Sequence, residues 1–345
     1  MNTQVVGNPM PSIANEGKLS LEQVISTLSI QYDDQTVLEL IRKFCLQSKK
    51  KEIMKFGMEF LYMNGFYEDL QTLVYKNQKM PEESNNQWAI AYQLMLDQRF
   101  NRVPPQKIIH HLSSLHTNEP ELICLIEFTK NKAYNDMNDF TKSGNFLEKL
   151  QYLNGSIVDS QLRFFYNIRM YEAYFIYLWH RNELILARKF AFRVLNLTQS
   201  PKKKAAIHTC LALTYTFDTY QQGIHHLNEA KKIALENGLT EILNIIENHN
   251  FPFFSAYHKK VKGVTTSDKS EQAHVEIAKG NFKKAENILR KVSSDSPFYF
   301  YYLGLATSDK DLLHHSYNGF IEKRSDHFFC RLPLVALRNM GSDLH

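Results

Sequence analysis

Segments of helical periodicity follow one another along almost the whole chain, and the connections between them are short. Apolar residues recur at three- and four-residue intervals in windows 20–30, 34–48, 50–64, 67–77, 86–99, 105–116, 119–136 and 146–153. The same spacing continues through 158–181, 183–197, 201–217, 220–237 and 240–249, and from 270–279 to 328–340. No run alternates apolar and polar residues between hairpin turn signals, so no sheet is expected. Breakers are sparse, with 13 glycines and 10 prolines in 345 residues. Helices joined by roughly two to five residues must fold back on their neighbours.

The turns repeat. In the segment 273–289 one helix ends at Gly280, which is free to take the left-handed conformation that closes a helix. Asn281 is placed to cap the next helix, and Phe282 and Ala285 are placed to face the previous one. Gly144-Asn145-Phe146 repeats this turn, and Asn64-Gly65-Phe66 is a permuted version. Small residues recur at the close-contact position, at Ala187, Gly223, Ala285 and Ser316, with spacings of 36, 62 and 31. A period near 31–36 is that of helix-turn-helix repeats. The expected fold class is therefore all-α, a tetratricopeptide-like superhelix of helical hairpins with a concave groove suited to a peptide. The segment 251–269 carries Pro252, Gly263 and Thr265-Thr266-Ser267-Asp268 and reads as a break. The expected organisation is a flexible remnant at 1–16, a repeat block at 17–258, a loop at 259–269 and a second block at 270–345.

Several classes are disfavoured. The net charge is +5, from 41 basic and 36 acidic residues, and the lysine runs 49–51 and 202–204 read as solvated helix ends. The four cysteines, Cys45, Cys124, Cys210 and Cys330, include no C-x-x-C pair, which fits a reducing, cytoplasmic setting. No stretch approaches the ~18 apolar residues that span a bilayer, and no secretory leader opens the chain. Dinucleotide, P-loop and zinc-protease signatures are absent, so no catalytic residue, metal ligand or cofactor is expected. The adjacent pairs His110-His111, His225-His226 and His314-His315 point about 100° apart on a helix and do not converge on one metal.

The C-terminal region is more specific. Glu271-Gln272-Ala273-His274 opens one repeat, and Asp326-His327-Phe328-Phe329-Cys330-Arg331-Leu332-Pro333-Leu334 leads towards Asn339-Met340-Gly341. Together these resemble the AimR family of lysis–lysogeny pheromone receptors, the arbitrium receptors of Bacillus phages. Weaker similarity extends back to about Gly17-Lys18, including Tyr32-Asp33. The resemblance implies an all-helical, tetratricopeptide-like intracellular receptor that binds a short phage-encoded signalling peptide and acts in the lysis–lysogeny decision. It implies that Glu271 and Asp326 supply carboxylates to the peptide's arginine or amino end, and that Phe328 packs on the peptide. It also implies that Lys202, standing where the family has an arginine, faces a carboxylate. Ile176 and His180 stand where the family has asparagines that hold the peptide backbone. A homodimer, or assembly with a full-length relative, is the implied partnership. The family's DNA-binding helix-turn-helix should precede Gly17, and its leucine-rich dimerisation tail should follow Gly341. DNA binding is expected only if a helix-turn-helix is supplied, and no membrane association is expected.

Two rival readings share the fold. One is a Rap-like regulator that uses helices 20–99 to bind or dephosphorylate a response regulator. The other is a helical-repeat scaffold for protein interaction without a peptide ligand.

Overall fold

The computed structural model describes residues 19–342, which contain helices and turns and no strand. The expected remnant at 1–16 and the last residues of the chain lie outside this range. In chain order the α-helices are α1 (Leu21–Gln31), α2 (Asp34–Gln47), α3 (Lys51–Asn64), α4 (Tyr67–Gln78) and α5 (Glu83–Arg99). They continue with α6 (Pro105–Ser113), α7 (Pro120–Asp136), α8 (Ser143–Gly155), α9 (Ser160–His180) and α10 (Leu184–Leu197). Next come α11 (Pro201–Leu213), α12 (Tyr220–Glu236), α13 (Thr240–Ile245) and α14 (Phe251–Tyr257). The last are α15 (Lys269–Ala278), α16 (Phe282–Leu289), α17 (Pro297–Thr307), α18 (Lys310–Asn318) and α19 (Arg331–Ser342).

Local chemistry sets many of these boundaries. Ser20 and Gln23 form a reciprocal capping box on α1, and Asp33 caps α2 through the Thr36 N–H. Asp268 and Asp309 cap α15 and α18 in the same way. Pro105, Pro120, Pro201 and Pro297 each stand in the first turn of a helix, where a missing N–H costs nothing. Gly65 and Gly280 have φ of +84° and +83°, the left-handed closure expected from their turns.

The chain forms two compact units. The first comprises Met1–Met137 with Asn145–Met170, and the second Asn138–Gly144 with Tyr171–His345. Helix α9 thus contributes its first part to one unit and its second part to the other. In the first unit Trp88, Tyr92, Tyr166, Met58 and Leu61 are fully buried. Each side chain of this size contributes roughly 1.5–3 kcal/mol by leaving water. Glu59 lies among them without solvent access and is held by Arg169, through bonds of 2.7 and 2.8 Å, and by the Tyr92 hydroxyl at 2.7 Å.

In the second unit consecutive helices pair as hairpins, α11 with α12, α15 with α16 and α17 with α18. The small residues of the repeat sit at the contacts: Ala187, Ala285 and Ser316 have no exposed surface, and Gly223 is buried. The Ser316 hydroxyl donates to the Pro297 carbonyl at 2.8 Å.

Four expectations are corrected. Phe282 is half-exposed and so is not buried in the hairpin, whereas Ala285 and Leu289 of the same helix have no exposed surface. Asn281 stands at the start of α16 but donates its amide to Glu276 at 2.8 Å instead of capping. Gly144-Asn145-Phe146 is no turn: Ser143 begins α8, and Gly144 lies against the Tyr177 ring, where a Cβ would meet Oη at 3.1 Å. Finally, 251–257 is helix, not break. A single wide turn of π-helix at Ile246–Asn250, closed by the Phe251 N–H on the Ile246 carbonyl, absorbs the chain where Pro252 enters α14. The irregular segment is therefore 258–268, and it lies inside the second unit. Its end is tied to the π-turn, because the Asn248 carbonyl and side chain accept from Thr266 and Ser267 at 2.7–2.8 Å.

Candidate functional site

Glu271 lies in the first turn of α15, where Asp268 accepts its backbone N–H at 2.9 Å. This cap turns the side chain inward, and Glu271 is 9% exposed. One carboxylate oxygen accepts from the Tyr302 hydroxyl at 2.8 Å. Burial, followed by the charge of Glu271, pushes the Tyr302 hydroxyl well above its usual range, so it stays a donor. The second oxygen lies 3.5 Å from Nδ1 of His274, one turn along α15, yet neither atom has an aligned hydrogen-bond partner. The His274 ring lies over Tyr302 with centroids 4.4 Å apart and planes at 25°.

Asp326 is buried at 2% exposure and holds the turn before α19. Its Oδ1 accepts the backbone N–H groups of Phe328 and Phe329 at 3.1 and 2.9 Å. That is the helix-start capping role this residue type favours. Its Oδ2 lies 3.2 Å from Nδ1 of His180, the last residue of α9. The distance is that of an ion pair, but the ring N–H is not aligned on the oxygen, so Nδ1 is left without a hydrogen bond. Phe140 stacks flat on the His180 ring, with centroids 3.5 Å apart and planes at 11°. The His180 carbonyl accepts from the His327 N–H at 2.8 Å.

Phe328 has no exposed surface and meets Trp179, Phe217 and Phe329 edge-on. Phe329 in turn touches Phe253, and Phe253 touches His274. A continuous aromatic layer therefore connects Asp326 and Phe328 to Glu271, and the structure brings these three expected residues into one cluster. Lys202 is not part of it: its Nζ lies 3.4 Å from the exposed Glu241. The neighbouring Lys203 instead pairs with Glu172 on α9. Glu172, Ile176 and His180 follow at four-residue intervals and share one face of that helix.

The residues around the acids were partly legible. His274 follows Glu271 by three positions, the spacing that puts two side chains on one helix face. Tyr302 ends an aromatic run whose simplest role is core packing. Phe140 has no local signal, because the segment that carries it is irregular. Two open depressions lie elsewhere, one of about 410 Å³ bordered by Leu112, Glu127, Lys130 and Lys149, the other of about 260 Å³ bordered by Val264, Glu276 and Lys284. Neither includes Glu271, Asp326, Phe328 or Lys202. Among the described residues no group of three or more His, Cys, Asp or Glu side chains is arranged to hold a metal ion. Nor is any described helix long and apolar enough to cross a membrane.

Comparison with known proteins gives a consistent picture. Over 358 aligned residues the chain is 20% identical to the AimR transcriptional regulator of Bacillus phage SPbeta, covering 97% of this chain and 90% of that protein. A Bacillus anthracis protein, pXO2-35, is 27% identical over 221 residues, which span 60% of this chain and 81% of its own. The solved structure "Structure of phAimR-Ligand" superposes with a TM-score of 0.75 at 19% identity, over 93% of this chain and 98% of that one. "Structure of SeMet-phAimR" gives 0.66 at 17% identity, over 98% and 91%. Residues 37–339 match the family described as AimR transcriptional regulator-like, and the chain belongs to that family.

Proposed function

We propose that this protein is a cytosolic receptor for a short phage-encoded signalling peptide and that it acts in the lysis–lysogeny decision. Membership of a family of phage transcriptional regulators supports the regulatory role. A relative of the same fold has been solved under a name that includes a ligand, which supports binding of a small partner. The observation that carries the reading is the pair of buried acids, Glu271 and Asp326, set in one aromatic layer. Each spends one oxygen on a well-formed hydrogen bond within the protein and has the other opposite a poorly aligned histidine. Buried carboxylates with unspent acceptor capacity suit a cationic ligand group, because a charge-assisted bond in a dry site is stronger than one in water. The aromatic layer supplies the apolar surroundings in which such anchors contribute most.

The acids are enclosed, so a ligand enters only if side chains of the layer move. Titration calorimetry against the short arginine-containing peptide encoded beside the gene tests the reading. Saturable heat with a Kd below ~100 μM is expected, corresponding to at least about 5.5 kcal/mol of binding free energy. Absence of heat at that concentration would overturn it.

A further inference from the structure

His180 occupies the one oxygen of Asp326 that the protein's backbone leaves unused. Oδ1 is committed to two N–H groups of the following turn, so any further partner of this carboxylate must use Oδ2. At 3.2 Å, His180 Nδ1 already stands there. The ring is not free to swing aside at no cost. Phe140 lies flat on it, Trp179 lies 4.8 Å away, and the backbone of His180 is tied to His327. The Phe140 backbone N–H is in turn bonded to the Arg324 carbonyl at 3.1 Å, which anchors the stacking ring to the same turn that carries Asp326. Yet the contact is imperfect, since Nδ1 is buried without an aligned acceptor. A buried ring nitrogen in that condition is held less tightly than a cationic N–H aligned on Oδ2 would be.

From this geometry we infer that His180 is a specificity-determining residue, an internal competitor seated on Asp326 that a ligand's cation must displace. The inference rests on the proposed reading that Asp326 receives the cationic group of the peptide. It has two consequences. Affinity is lowered by the work of removing His180, because a site filled by its own side chain binds only with what remains after that displacement. Selectivity is raised, because a planar guanidinium that replaces the ring can lie against Phe140 and Trp179 while it donates to Oδ2, whereas an ammonium is a compact, strongly hydrated point charge. An amide at position 180 removes the competing ring and opens Oδ2 to either cation.

The test is calorimetric titration of the wild-type protein, His180→Asn and His180→Phe with the arginine-containing peptide encoded beside the gene and with its lysine-substituted form. His180→Phe keeps an aromatic ring against Phe140 but has no ring nitrogen to meet Oδ2, so it separates loss of the polar contact from loss of packing. Thermal melting of each variant establishes that it is folded. The expected result is at least tenfold tighter binding of the arginine peptide by both variants, with the arginine-over-lysine preference shrinking at least fivefold. Binding by the wild type with equal or weaker affinity in both folded variants overturns the inference and leaves the receptor reading standing. Binding by none of the three proteins overturns both.

Discussion

Arg169 grips Glu59 with two parallel bonds, Nε to Oε1 at 2.7 Å and Nη2 to Oε2 at 2.8 Å, where Glu59 has no contact with solvent. Burial works against the charged guanidinium, but the charge and hydrogen bonds of Glu59 outweigh it and hold Arg169 above its usual range. Such a pair is a poor source of net stability, because two ions must be dehydrated to make it. Removing one partner is a different matter. Arg169→Met leaves the carboxylate uncompensated and is expected to cost roughly 3–5 kcal/mol in chemical denaturation, whereas the double change with Glu59→Leu costs less than Arg169→Met does. A double variant less stable than the single one would refute this account.

Gly223 is required by the ring beneath it. A Cβ there would lie 2.0 Å from Cζ of Phe254, whose ring is fully buried and has nowhere to withdraw. Gly223→Ala is therefore expected to lose about 1–3 kcal/mol through overpacking, despite alanine's better helix propensity on α12. Stability unchanged within ~0.5 kcal/mol, the usual range for an exposed site, would show that the close contact is not real.

The second unit also carries a pH-sensitive pair. Nδ1 of His208 and Nδ1 of His226 are 3.1 Å apart between α11 and α12, a distance that requires at least one ring to be neutral. Burial, then the neighbouring His208, lowers the pKa of His226 from 6.5 to about 4, and burial lowers His208 as well. Below pH 6.5 the unfolded chain takes up a proton that the folded site accepts only near pH 4, so this contribution to stability is complete above that window and is lost as pH falls through it. Melting temperatures measured across the window should drop less steeply for His226→Leu than for the wild type. Parallel curves would remove His226 as a cause.

Glu271→Gln separates charge from shape at the candidate site. The amide oxygen still accepts from the Tyr302 hydroxyl, so the fold is expected to melt as the wild type does. Affinity for the arginine-containing peptide should fall at least tenfold, about 1.4 kcal/mol, because a charge-assisted bond becomes a neutral one. Unaltered affinity would take Glu271 out of the binding site.

The all-helical, hairpin-repeat fold was legible in the sequence because it depends on local quantities. Three-to-four periodicity, capping acids such as Asp33 and Asp268, and small residues at Ala187, Gly223, Ala285 and Ser316 act within one hairpin. The same locality misled at Phe251–Tyr257, where proline and glycine signals outvoted a π-turn whose stability comes from packing and from its ties to Thr266 and Ser267. Glu271 and Asp326 were singled out as candidate binding residues by the family resemblance that their short motifs carry. What those acids meet could not be read in the same way. His180 is far from Asp326 in sequence, and Tyr302 belongs to a later helix than Glu271; only folding puts each beside its acid. Sequence determined which residues carry charge and which faces are apolar, since both follow from side-chain chemistry and the helical repeat. Tertiary structure alone decided that Asp326 is closed by an imidazole, that Phe328 is core, and that Lys203, not Lys202, reaches α9, because a side chain's partner is set by the path of the backbone across the whole unit.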